Sequence, residues 1–114
     1  MQGGEHLYIM QMARTGAIKV GRSSDVTRRR GEIQTGCPYE VRVLLIADGQ
    51  GYREGHIHRI MRRFRLRSEK GEWFSESAIG SIPDDIYDMM TMEMCEMVNG
   101  DWWKQVNRDP GPFG

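Results

Sequence analysis

The feature that most limits what this chain can become is a pair of apolar runs, residues 6–12 and 17–21, separated only by a turn around Arg14-Thr15-Gly16. Alternation in the first run puts Leu7 and Ile9 on one face and His6, Tyr8 and Met10 on the other, the two-residue period of a strand. Gly16 can take the positive φ that such tight connections require, so the two runs are expected to pair as an antiparallel hairpin. In the returning run Lys19 occupies one face and Ile18 and Val20 the other. Pairing through the turn is expected to bring Tyr8 and Lys19 near each other.

A third run, residues 40–48, contains Val41, Val43, Leu44, Leu45 and Ile46. Its nearly continuous apolar character predicts the buried middle strand of a three-stranded sheet. Three helices are expected around it. Ser23-Ser24-Asp25 supplies N-cap residues for a helix over 26–35, which Gly36 and Pro38 stop. A second helix over 52–64 carries Ile57, Ile60, Met61 and Phe64 on one stripe. A third begins at Pro83, carries Ile86, Met89, Met90, Met94 and Met97, and ends at Asn99-Gly100. Between the last two, Trp73 and Phe74 are expected to cover a sheet edge. The fold class read from this order is α/β (α+β): a small three-stranded antiparallel sheet flanked by helices, with an added C-terminal helix. At 114 residues the chain is long enough for one core and not two. We divide it into a main domain, 1–82, and an acidic Met/Trp-rich helical extension, 83–114, packed on that domain.

The formal net charge of zero conceals an asymmetry. Residues 1–70 hold 14 Lys/Arg against 7 Asp/Glu, whereas residues 71–114 hold 2 against 9. The basic part suits a phosphate backbone, whose binding is driven largely by counterion release. The plainer alternative is a solvated surface whose halves neutralise one another, and a third is an acidic segment that competes with DNA for the basic face. No apolar run approaches the ~20 residues of a membrane span, and the N-terminus lacks a secretory pattern. Cys37 and Cys95 have neither metal-ligand nor partner spacing. A cytoplasmic protein with reduced thiols and no membrane partner is the expectation.

The run Arg28-Arg29-Arg30 cannot face one way on a helix, because neighbours are about 100° apart. One arginine is expected to point inward across the sheet end. On the second helix Glu54 and His58 are i,i+4 neighbours at the stripe's edge, and Arg59, Arg62, Arg63 and Arg65 form a cationic flank. A phenol, an amine, guanidiniums and a carboxylate on one small sheet and its helices are the groups needed to hold a divalent metal against a phosphodiester and cleave it.

At this point the chain resembles the GIY-YIG endonuclease family, in its branch of small phage and microbial proteins grouped with a meiotically up-regulated fungal protein. Leu7-Tyr8-Ile9 stands where the family's Gly-Ile-Tyr strand does, and Ile18-Lys19-Val20-Gly21-Arg22 where its Tyr-Ile-Gly strand does. Arg29 matches the family's helix arginine. Gln34-Thr35-Gly36-Cys37-Pro38, Glu54-x-x-x-His58 and Gly71-Glu72-Trp73-Phe74 match segments of the branch. Two departures concern proton transfer: Lys19 replaces the second motif tyrosine, and Ile33 stands where many members have histidine.

The resemblance implies a metal-dependent DNA endonuclease working with one Mg²⁺ or Mn²⁺. Glu54 would ligate the metal, Tyr8 would orient or deprotonate the attacking water, and Lys19 would depress the Tyr8 pKa or accept its proton. Arg29 would hold the scissile phosphate, assisted by Arg22, and His58 would hydrogen-bond the leaving group or a metal-bound water. Arg22, Arg28, Arg30, Arg59, Arg62 and Arg63 are the candidate nucleic-acid contacts. Each site residue also has a plain structural reading: Glu54 paired with a nearby arginine, Tyr8 capping the core, His58 satisfied by backbone. The alternatives for the whole chain are a catalytically silent nucleic-acid-binding module, or a protein-interaction module. The Met-rich helix reads first as core packing or a lid. Its second reading is a homodimer or partner interface anchored by Trp102 and Trp103.

Overall fold

The computed structural model describes residues 4–67 and 72–98, with side chains through residue 91. Three strands, β1 (His6–Met12), β2 (Ile18–Ser23) and β3 (Val41–Ala47), form one antiparallel sheet in the order β2-β1-β3. Helix α1 (Val26–Thr35) joins β2 to β3, α2 (Glu54–Met61) follows β3, and α3 (Asp84–Val98) closes the described chain. Short 3₁₀ turns, Gly51–Arg53 and Arg62–Phe64, flank α2.

The hairpin turns as its residues require. Gly16 and Arg14 take φ of 75° and 73°, and the Gly16 N–H donates to the Met12 carbonyl at 2.9 Å. The expected middle strand is corrected: β1, not β3, lies at the centre, because both other strands pair with it. The apolar run of β3 has another cause. Leu45 and Ala47 enter one core and Val41 and Val43 the other, while Ile46 stays exposed. An irregularity between Ile9 and Met10 shifts the β1–β3 register.

Two cores sit on opposite faces of the sheet. Leu7, Ile9, Ile18, Val20 and Leu45 pack against Ile57 and Met61 of α2, Phe74, and Ile86 and Met90 of α3. Tyr8, Met10, Met12 and Ala17 pack with Val26 of α1, Val41 and Trp73. Phe74 exchanges both backbone hydrogen bonds with Ile18, each 2.7 Å, so the aromatic pair does close the β2 edge. The Asn99-Gly100 stop, Trp102, Trp103 and the side chains of Met94 and Met97 lie outside the described residues. No helix among them is long and apolar enough to cross a membrane.

Candidate active site

Gly21 opens the site. It pairs with Tyr8 across the hairpin, and the Tyr8 ring lies over it so closely that a Cβ there would overlap the Tyr8 Oη and Cζ. The missing side chain therefore lets the phenol lie down along the sheet, only 2% exposed, with its hydroxyl directed to the β2 end.

Helix α1 brings a cation to that hydroxyl. Asp25 caps the helix by accepting the Arg28 N–H at 3.1 Å, and the three consecutive arginines then diverge. Arg29 turns inward and hydrogen-bonds Tyr8. Arg30 donates from Nε to the Val41 carbonyl at 2.8 Å, riveting α1 to β3. Arg28 stays outside, and Glu32 holds both Arg28 and Arg29, each at 3.3 Å. A cavity of ≈120 Å³ beside Arg29 is lined by Ser23, Ser24 and the acidic side chains of Glu5, Asp25 and Glu32, among others.

Helix α2 brings the carboxylate. Its imidazole, His58, points one ring nitrogen, Nε2, at the Val20 carbonyl of β2 at 2.6 Å and the other, Nδ1, at Glu72 at 2.9 Å. This pins the second turn of α2 over the middle of β2. Glu54, one turn earlier, has one oxygen 3.6 Å from Arg22 Nε and the other 3.9 Å from His58 Nε2. Its negative charge acts on the Tyr8 phenol, which also takes the Arg29 hydrogen bond, so Tyr8 lies within electrostatic reach of both groups. Arg22 also pairs with Glu5 at 3.3 Å.

Burial pushes the Tyr8 phenol above its usual range, with Arg29 pulling it partly back. Sequence reading gave Lys19 the task of lowering the Tyr8 pKa or accepting its proton; the cation that pulls the phenol down here is Arg29. The reason is register: Lys19 pairs with Met10, one step diagonal from Tyr8, and its ammonium sits 5.4 Å from the Trp73 ring. Burial lowers the Lys19 pKa, opposed chiefly by the Glu72 carboxylate. Glu72 thus serves both His58 and Lys19, a role that sequence reading did not assign; the motif Gly71-Glu72-Trp73-Phe74 was its only signal.

The remaining candidates stand apart. Arg59, Arg62 and Arg63 are exposed on and after α2, and no interaction ties any of them to Tyr8, Arg29 or Glu54 among the described residues. His58, with both ring nitrogens engaged by protein oxygens, is placed to hold the site together more than to touch a ligand.

The T5orf172 domain model matches residues 5–92, from the first strand into α3, and the chain belongs to that nuclease-related family. No curated protein and no solved structure matches the chain.

Proposed function

We propose that this chain is a metal-dependent DNA endonuclease of the GIY-YIG type. The observation that carries the reading is the Arg29 hydrogen bond to the Tyr8 hydroxyl, with the Glu54 carboxylate near enough for its charge to act on the same phenol. A nuclease-related family assignment is in keeping with it.

The donor set fits a hard divalent cation held lightly. Among the described residues no group of three or more His, Cys, Asp or Glu side chains could cage a metal. Glu54, with its side chain 28% exposed, would hold Mg²⁺ or Mn²⁺, and waters and phosphate oxygens would complete the shell. A cation held there would supply positive charge to offset the negative charge developing on the phosphate.

The chain's own groups do the rest. Arg29 grips the phosphate, its fork matching two oxygens, and Arg22 assists once the phosphate competes with Glu54 and Glu5 for it. Tyr8 stays protonated at neutral pH because burial disfavours the phenolate. It therefore orients the attacking water by hydrogen bonding and relays a proton rather than storing one. Lys19 Nζ is the acceptor in this relay, since its burial makes the neutral amine more accessible than in an ordinary lysine. His58 and Glu72 fix α2, and with it Glu54, against β2.

A silent nucleic-acid-binding module is the second reading, favoured by the Glu54–Arg22 pair. Incubating supercoiled plasmid with and without Mg²⁺ or Mn²⁺, beside Glu54→Ala, decides between them. Nicking only by the unmodified chain and only with metal is expected. Cleavage retained by Glu54→Ala would remove this site, and salt-sensitive binding with no product would favour the silent module.

A further inference from the structure

South of the site along the chain, the segment after α2 forms a groove of ≈480 Å³ lined by Arg62, Arg63, Arg65, Leu66 and Arg67. Its charge is unusual within this molecule. Arg22, Arg28, Arg29 and Arg53 each have a carboxylate within 3.6 Å. The four groove arginines receive, from the described residues, only Glu72, 4.0 Å from Arg65. Four like charges so close together repel one another, and water and salt screen that repulsion only in part. A bound polyanion removes it.

Backbone hydrogen bonds anchor the groove to the rest of the fold. The Leu66 N–H donates to the Trp73 carbonyl at 2.8 Å, and the Ser75 N–H to the Phe64 carbonyl at 2.8 Å. Phe74 in turn is bonded to Ile18 of β2. Arg65 and Arg67 therefore leave from a segment bridged to the sheet through Phe74, and Arg62 and Arg63 from the 3₁₀ turn just before it. Glu72 joins the two regions: the same side chain reaches His58 at 2.9 Å and Arg65 at 4.0 Å.

We infer that this groove is a second phosphate-binding site, one that holds the nucleic-acid backbone flanking the bond cleaved at Tyr8, Arg29 and Glu54. The inference rests on the nucleic-acid part of the function proposed above. The ligand class follows from the lining. Guanidinium forks match phosphate oxygens, and among the described residues the lining offers no aromatic platform or side-chain amide to read a base. It positions the strand and does not specify sequence. Arg65 and Arg67 join Arg62 and Arg63 in this role, whereas Arg59, one turn back on α2, is outside the lining.

The test measures binding of a labelled duplex by fluorescence anisotropy over a salt series, all in the Glu54→Ala background so that no cleavage intervenes. Arg63→Ala/Arg67→Ala is expected to make the slope of log K against log salt shallower by about two, close to one unit per lost phosphate contact. The matching double lysine variant should keep most of the slope, because the charges remain, and both should melt like the parent. An unchanged slope overturns the groove. So does an equal fall caused by Arg59→Ala alone, which would mark a diffuse basic field. Plasmid nicking by the chain with Glu54 intact separates the two claims: binding through the groove without cleavage leaves the groove standing and removes the nuclease.

Discussion

The two faces of the sheet use the same three strands and the same hydrophobic effect, yet only one of them carries Tyr8, Arg29 and Lys19. On the α2/α3 face the core runs through apolar side chains, from Leu7 and Ile9 to Ile86 and Met90, with His58 at its edge against Phe74. On the α1 face the pattern is interrupted by Tyr8 lying across Gly21, with Arg29 on its hydroxyl and Lys19 against Trp73. Polar groups are tolerated in a core when each is hydrogen-bonded or reaches solvent. The α1 face meets that condition at its open end, where α1 and α2 bring arginine and glutamate to the rim. One face fixes the fold; the other uses that rigidity to aim functional groups.

The sharpest way to break this comparison is to change neighbours in β1 that point oppositely. Ile9→Ala, at a fully buried position, should cost about 2–5 kcal/mol in urea unfolding while the surviving folded protein still nicks DNA. Tyr8→Phe keeps the ring and loses one hydrogen bond, about 1 kcal/mol, but should cut nicking at least about a hundredfold. If Tyr8→Phe were as destabilising as Ile9→Ala and left cleavage intact, the two faces would be equivalent.

Gly21→Ala tests the junction between them. The added methyl has nowhere to go except into the Tyr8 ring, so an overpacking cost of about 1–3 kcal/mol is expected. Nicking should fall with it, because the displaced phenol leaves Arg29. Restored activity in Gly21→Ala/Tyr8→Phe would contradict the assignment, since that pair relieves the hydroxyl's clash but has no hydroxyl to work with.

Lys19→Arg sharpens the electrostatic side. Burial lowers the Lys19 pKa, so between that lowered value and the ordinary lysine value, about 10.4, the folded chain binds fewer protons than the unfolded one. Stability contributed by this group therefore rises with pH across that window. The neutral amine becomes populated over the same range, and the nicking rate should rise with it. Arginine stays protonated throughout, so the variant should be slower and its rate should lose this rise. An identical pH profile would take Lys19 out of the proton relay.

Much of this was legible in the sequence where short-range rules decide. The hairpin followed from alternation and Gly16, and α1 from the Asp25 cap and the stop at Gly36. Strand order was not legible. The apolar run of β3 indicates contact on both faces, which an edge strand between two cores also has. Nor was register, since the shift between Ile9 and Met10 is set by packing and not by any residue type. The placing of Arg29 on the Tyr8 hydroxyl, with the Glu54 charge acting on the same phenol, was suggested by motif order. The tasks of Glu72, and the exchange of Lys19 for Arg29 beside the phenol, depended on diagonal distances that no pattern of types encodes.

The smallest expected effect lies on the plain face, where α3 is fastened. Arg53 grips Asp85 with both nitrogens, at 2.6 and 3.0 Å, and also reaches Gln50 at 2.9 Å. The first turn of α3 is thereby tied to the start of α2, and Asp85 of the acidic segment is engaged with Arg53. Hydrogen bonds from Arg53 hold the Asp85 carboxyl below its usual range. A carboxylate shifted this way adds stability above its unfolded pKa and loses it as pH falls through the lower folded value. Asp85→Asn should therefore lower the thermal midpoint slightly at neutral pH, and the difference from the parent should close in acid. The pair is solvent-exposed, so high salt should close it too. Because Ile86 and Met90 keep α3 in the core regardless, nicking should not change. A loss of nicking in Asp85→Asn would mean that the α2/α3 face is not a passive scaffold, and that the position of Glu54 depends on how α3 is held.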